Sequence, residues 1–155
     1  MDKDRTFTLS APRTEAEFEA YYDLRWRVLR APWAQPRGSE RDEFEEVADH
    51  VTAVDPEGRL IGVGSLRPTG QGEARIRYMA IEEAWRGRGV GRAILARLEA
   101  QAQRRSVSRI LLNAREGVIG FYERMGYSVA GEAPTLFGVI RHSRMEKQLP
   151  PEQTG

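Results

Sequence analysis

The sequence predicts a single α/β domain in which helices pack on a mixed sheet, and three observations carry that reading. At 155 residues the chain has the length of one ordinary domain, enough to bury roughly two thirds of its unfolded surface in one core. Its first half carries hairpin signals, and its second half alternates strand, helix, strand, helix and strands. No internal repeat or low-complexity tract interrupts that order. Residues 1–155 therefore read as one domain, with about 6–148 ordered and 149–155 as a tail.

The elements follow in chain order. "TFTLS" alternates weakly and predicts an edge strand. In "TEAEFEAYYDLRWRVLR", Thr14 is followed three residues later by Glu17, the signature of a capping box, and Phe18, Tyr21, Tyr22, Arg25, Val28 and Leu29 recur at mostly helical spacing. Pro32, Pro36 and Gly38 then break regular structure, so "APWAQPRGSERDEFEE" reads as a loop with a short helical turn near Phe44. "VTAVD", the turn "PEGR" and "LIGVGSLRP" form a hairpin, and "ARIRYMAI" adds a strand. Ile94, Leu95, Leu98 and Ala102 mark a helix face that ends near Arg104 and Arg105, whose charges suit the negative helix end. "RILLN" is a short apolar strand, and "EGVIGFYERM" a helix closed by Gly126 as a left-handed cap with Tyr127 as its apolar contact. "YSVAGE" and "GVIRHSRMEKQL" are the last strands, and "PPEQTG" reads as a frayed tail.

Composition narrows the chemistry. The 24 basic and 23 acidic side chains leave a net charge of +1, which supplies no field for nucleic acid or an acidic membrane. Cysteine is absent, excluding disulfides, thiolate zinc sites and a cysteine nucleophile, and fitting a reducing compartment. His50 and His142 are the only imidazoles, too few for a typical histidine metal site, so no metal is expected. No run approaches a membrane span and "MDKDRTFTLSAPR" lacks the apolar centre of a secretory signal, so the expected location is cytoplasmic. Trp26, Trp33 and Trp85 read as interface anchors or partly buried scaffold, which leaves monomer and homodimer both open.

The most informative stretch is "YMAIEEAWRGRGVGRAILARLEA", where Gly87, Gly89 and Gly91 stand at the mouth of a helix. Each Gly in a helical turn costs roughly 1 kcal/mol against Ala, so close approach of a ligand to that backbone is the reason to look for. Unpaired N–H groups at a helix start form an anion site, and Arg86, Arg88 and Arg92 can add charge-assisted bonds from its flanks. An NTPase phosphate loop needs GxxxxGK followed by Ser or Thr, and no such run exists. A dinucleotide fingerprint needs a final Gly or Ala, but counting from Gly87 that position is Arg92, and from Gly89 it is Ile94. What remains is RxxGxG, met by Arg86, Gly89 and Gly91.

With "RYMAI" before it, "RILLNARE" some twenty residues after it and "GFYERMGY" beyond, this pattern resembles the GNAT superfamily of N-acetyltransferases over nearly the whole chain. "LRWRVLRAPWAQPRGSERDEFE" and "GVIRHSRM" are similar to a bacterial branch of that superfamily in which some members are fused to a thioesterase. The resemblance implies a mostly antiparallel sheet splayed between its fourth and fifth strands, with helices on both faces. It further implies that acetyl-CoA is the cofactor, its pantetheine arm adding as a strand along Met79, Ala80 and Ile81. The pyrophosphate would lie on Arg86, Gly87, Arg88, Gly89, Val90, Gly91 and Arg92. A strand N–H would face the thioester carbonyl, where such a donor is worth roughly 3 kcal/mol. Asn113 is placed either to bond the cofactor's arm or to cap the next helix.

Tyr122 is the expected general acid, since the resemblance puts the tyrosine of "FY" beside the cofactor sulfur; plain core packing is the competing reading. A phenol near pKa 10 protonating a thiolate near 8.5 works uphill by roughly 2 kcal/mol, so hydrogen bonding to the sulfur is the safer description. An amine acceptor also needs a base, because its ammonium is protonated at neutral pH. The fourth strand offers Arg75, Arg77 and Tyr78 but no inner carboxylate, unlike family members with a glutamate there. Glu40, Asp42, Glu43, Asp49, His50 and His142 remain as candidates, with the charged loop from Arg37 to Glu46 expected to rim the acceptor pocket and His50 expected to be a structural hydrogen-bonder. The resulting expectation is transfer of an acetyl group to the primary amine of a small molecule or peptide in a ternary complex. Its alternatives are a non-catalytic acyl-CoA-binding sensor and an acyltransferase acting on a carrier-protein or hydroxyl acceptor.

Overall fold

The computed structural model describes residues 6–151. The expectations for residues 1–5 and for the tail at 152–155 lie outside the described residues. Strands β1 (Thr8–Ser10), β2 (Asp49–Val54), β3 (Leu60–Gly70), β4 (Glu73–Ile81), β5 (Arg109–Arg115), β6 (Ser128–Leu136) and β7 (Ile140–Gln148) form one sheet in the order β1-β2-β3-β4-β5-β7-β6. All neighbours are antiparallel except β4 and β5, which run parallel. Helix α1 (Glu15–Leu29) covers one face of β3 and β4, while α2 (Val90–Arg104) and α3 (Ile119–Arg124) pack on the other.

The local signals act as anticipated. Thr14 Oγ1 accepts the Glu17 N–H at 3.1 Å and Glu17 Oε1 accepts the Thr14 N–H at 2.9 Å, the reciprocal capping box that starts α1. Asp55 Oδ1 gathers the N–H groups of Glu57 and Arg59 to close the β2–β3 turn. After α3, Gly126 takes φ +97°, Tyr127 N–H reaches back to the Tyr122 carbonyl, and Gly126 N–H to that of Glu123. That pair of bonds is a Schellman motif.

Several boundaries differ from the sequence reading, among them β6, which runs on to Leu136. β5 runs on to Arg115, and the helix expected over 116–125 becomes a 3-10 turn at Glu116–Val118 followed by the six residues of α3. Gly117 and Gly120 weaken helical propensity there, and the β5–β7 ladder, paired through Arg115 and His142, holds the preceding residues extended. Leu149, read as the first residue of the tail, is buried at 7% exposure, and its N–H donates to the Ser108 carbonyl at 2.8 Å. The apolar side chain extends the core by one position.

Two features of β3 and β4 set the geometry of everything around them. A Cβ on Gly62 would stand 2.8 Å from Val90 Cγ1, and one on Gly64 2.7 Å from Ile94 Cγ2, so these glycines let α2 lie close against the sheet. In β4, Val63 pairs with Ala80 but Ser65 with Arg77, so Tyr78 and Met79 together oppose Gly64. This is a β-bulge, and Tyr78 takes φ +58° to make it, a conformation costing a non-glycine residue roughly 1–2 kcal/mol. Before the bulge Ala74 and Ile76 face the α2 core; beyond it Met79 and Ile81 do, and Ala80 turns to the α1 cluster. One inserted residue thus exchanges the two faces of the strand.

Candidate active site

β4 and β5 pair only over Glu73–Arg109, Ala74–Ile110 and Arg75–Leu111, and then part. From Ile76 to Ile81 the β5-side edge of β4 has no strand beside it, and the gap opens into a cavity of about 620 Å³. Its walls include Met79, Ala80 and Ile81 on β4, Asn113 on β5, and Phe121 and Tyr122 on α3. At one end stand Arg86, Gly87, Gly89, Val90, Gly91 and Arg92. The candidate residues scattered over 79–122 of the sequence are therefore brought to one continuous surface, with one exception. Arg88 is not part of the lining, and its guanidinium lies 5.0 Å from the Trp85 ring.

The glycine end is built from backbone. Gly89 precedes α2 with φ +87°, and the first helical bond is Ala93 N–H to the Gly89 carbonyl, so the N–H groups of Val90, Gly91 and Arg92 lie ahead of it. No side chain caps this end. A Cβ on Gly87 or Gly89 would meet nothing within 4 Å, so both glycines serve their left-handed conformation and leave open space in front of the amides. Gly91 differs, because a Cβ there would rest 3.5 Å from Phe121, an ordinary contact. An open, uncapped helix start of this kind fits a pyrophosphate, and the long apolar slot behind it fits a pantetheine arm.

Tyr122 is 7% exposed, with Phe121 at 5.0 Å and Tyr127 at 5.8 Å between ring centres. Burial raises its phenol pKa to about 12, against an opposing pull from Arg115. Asn113 lies inside β5, paired with Arg144, and is exposed on the cavity wall. The helix-cap alternative for it is overturned, since β5 carries the chain past it and α3 starts after Val118 without a side-chain cap.

Of the six base candidates, only His142 lines the cavity. Its Nδ1–H donates to the Ile140 carbonyl at 2.9 Å, which makes Nε2 the acceptor nitrogen in the neutral ring. Asp42 bonds Arg77 at 2.9 Å, Asp49 holds Arg105 with both oxygens, and Glu40, 4% exposed, accepts from Gly38 N–H and Arg41. His50 has both nitrogens engaged, with Tyr21 Oη 2.8 Å from Nδ1 and the Glu45 carbonyl 2.7 Å from Nε2. The loop from Arg37 to Glu46 does not rim the cavity as expected: Glu45 turns to Arg25 and Asp42 to Arg77, while Glu43 and Glu46 are exposed. The far wall is formed instead by Arg30, Trp33, Arg115, Leu136 and Ile140 together with His142. No local sequence pattern marks these residues.

The site and the splayed sheet define an acyl-CoA-type transferase fold, and comparison with known proteins gives the family. The model of the acetyltransferase (GNAT) family matches residues 18–127, and the chain belongs to that family, whose cofactor is acetyl-CoA. The N-acetyltransferase YjcF of Bacillus subtilis, itself uncharacterised, is 28% identical over 135 residues, covering 87% of this chain and 95% of that protein. YitI of the same organism, likewise uncharacterised, is 28% identical over 137 residues, covering 84% and 91%. Among solved structures, an aminoglycoside 6'-N-acetyltransferase complexed with coenzyme A superposes with TM-score 0.77 at 20% identity over 95% of this chain and 99% of that one. The ribosomal-protein-S18-alanine N-acetyltransferase of Escherichia coli gives 0.72 at 21% identity over 97% of each. These two likenesses are of fold. Among the described residues no helix is long and apolar enough to cross a membrane, and no group of metal-binding side chains is found.

Proposed function

We propose that this protein is an N-acetyltransferase that moves the acetyl group of acetyl-CoA to a primary amine in a ternary complex. The observation that carries the reading is the single cavity joining the uncapped start of α2, the parted edge of β4 and the Tyr122 phenol. The cofactor supplies an activated thioester; the rest falls to the chain's own groups.

The amides of Val90, Gly91 and Arg92, flanked by Arg86 and Arg92 side chains, hold the pyrophosphate. The free edge of β4 receives the amide-bearing arm, and Asn113 bonds it from the opposite wall. During transfer a C–N bond forms and the C–S bond breaks; the ammonium nitrogen gives up two protons, one before attack and one as the amide forms, of which the sulfur gains one and the other leaves through the base to solvent. His142 Nε2, the acceptor nitrogen of the neutral ring, takes the proton from the amine directly or through water. Tyr122 faces the sulfur. With its pKa near 12 it keeps its proton throughout the neutral range. Full transfer to a thiolate near 8.5 is uphill by about 5 kcal/mol, more than an unperturbed phenol would face, so Tyr122 acts chiefly by hydrogen bonding to the departing sulfur.

Coenzyme A release from acetyl-CoA with a panel of amines tests the proposal. Tyr122→Phe is expected to lower kcat by about a hundredfold while coenzyme A affinity, read by calorimetry, changes less than about threefold. Equal turnover by Tyr122→Phe and the parent would overturn its role. Absence of coenzyme A binding by the intact protein would overturn the assignment as a whole.

A further inference from the structure

We infer that the acceptor carries an oxyanion, a carboxylate or a phosphate, close to its amine. The inference rests on the acetyltransferase reading and deepens it by naming the acceptor class.

The distribution of charge around the cavity carries it. Its described lining includes Arg30, Arg75, Arg77, Arg86, Arg92 and Arg115 and not one Asp or Glu. Arg86 and Arg92 flank the start of α2, where the cofactor phosphates are expected. The remaining four stand elsewhere. Arg75 sits where β4 and β5 part, six residues before Ile81; at a rise of about 3.3 Å per residue the two are nearly 20 Å apart along the strand. Phosphates held at the glycine end are more than a Debye length of about 8 Å from Arg75 and do little to offset its charge. The thioester itself brings no anion to that end.

The protein neutralises only one of these four with an ion pair among the described residues. Arg77 is met by Asp42, but Arg30 bonds only the carbonyls of Leu29 and Ser39. For Arg75 and Arg115 no hydrogen bond or ion pair to a carboxylate occurs among the described residues. Arg75 instead faces like charge: Arg67 directly across the ladder, Arg77 on its own strand and Arg144 on β7, with Glu73 as the opposite charge, already bonded to Arg109 and Thr69. Arg115 lies 5.6 Å from the Trp33 ring and pairs across the ladder with His142.

Such a wall offers an entering molecule the guanidinium forks of Arg75 and Arg115, which carry no carboxylate partner among the described residues, and no lining carboxylate. A carboxylate or phosphate matches those forks, and can be held by two bonds at once. A polycation would meet repulsion with nothing to offset it. The same charges act on the amine. Arginines near an ammonium disfavour its charged form, so the neutral amine with its lone pair is favoured where β4 lacks a carboxylate base. An oxyanion bound to Arg75 or Arg115 secures the substrate despite that repulsion.

The test compares matched acceptors on the intact protein, by coenzyme A release and by calorimetric binding to the coenzyme A complex. The probes are the common amino acids, their carboxamides, O-phosphoethanolamine, spermidine and kanamycin. An oxyanion-bearing amine is expected to exceed its neutral counterpart by about tenfold or more in kcat/KM, and the amino-acid and phosphoethanolamine arms tell carboxylate from phosphate. Arg75→Gln and Arg115→Gln should each raise KM for that acceptor by about tenfold and leave coenzyme A affinity intact, with Arg75→Lys retaining part of the preference. Preference for carboxamides, spermidine or kanamycin, or no binding of any oxyanion-bearing amine to a protein that still binds coenzyme A, would overturn the inference. Failure to bind coenzyme A would instead defeat the underlying reading.

Discussion

Two groups of arginines lie on the α1 face of the sheet and have opposite fates. Arg25 has no solvent exposure, yet its guanidinium donates to Glu45, the Glu40 carbonyl and the Tyr21 hydroxyl, and stacks 4.1 Å from the Tyr78 ring. Around Arg75 and Arg115 nothing comparable closes. The contrast teaches that a buried or half-buried arginine becomes scaffold or site according to whether the chain encloses it with acceptors: both terminal nitrogens of Arg25 find them, only its Nε going without. The closed group also supports the open one. Tyr78 is held in its left-handed bulge between Arg25 and Arg77, and that bulge turns Ala80 and Met79 to opposite faces beside the cavity.

The comparison can be broken most directly at Arg25. Arg25→Ala removes the guanidinium that Glu45, the Tyr21 hydroxyl and the Tyr78 ring share, and is expected to cost about 3 kcal/mol or more in urea unfolding. A loss below about 1 kcal/mol would show that the network is not what holds this face.

A smaller effect is expected from pH at His50, which belongs to the closed group. Burial lowers its pKa below the ordinary 6.5, Arg25 acts in the same direction, and the Glu45 carbonyl bond and the charges of Glu45 and Asp49 oppose them. The unfolded chain therefore takes up this proton first as pH falls, so the contribution is fully present above 6.5 and is lost on descending toward the folded value. Urea midpoints should fall between about pH 7 and pH 5.5, and His50→Gln should fall less. A parallel fall in both proteins would remove His50 from the account.

The smallest change is expected at Arg75. Because no carboxylate partner is lost and repulsion from Arg67 and Arg77 is relieved, Arg75→Gln should shift stability by less than about 0.5 kcal/mol. A loss as large as that of Arg25→Ala would place Arg75 in the scaffold and dissolve the distinction.

The local caps and the cofactor loop were legible in the sequence alone. The capping box at Thr14 and Glu17, the Schellman cap at Gly126 and the RxxGxG turn are written within a few consecutive residues, so spacing alone reveals them. The acceptor side was not. Arg30, Trp33, Arg115, Leu136 and Ile140 share no motif, and the loop from Arg37 to Glu46, whose dense charge suggested a rim, buries its key carboxylates against Arg25 and Arg77. Gly62 and Gly64 read as ordinary strand residues until the approach of Val90 and Ile94 explains them.

By itself the sequence determined the order of strands and helices, their caps, and the glycine turn that opens α2, because each depends on interactions among near neighbours in the chain. The tertiary structure alone decided where β4 leaves β5, which faces follow the Tyr78 bulge, and which arginines have no carboxylate partner among the described residues. Those outcomes depend on strand order and register, which bring residues 30, 75, 115 and 142 to one cavity although more than a hundred positions separate the first from the last.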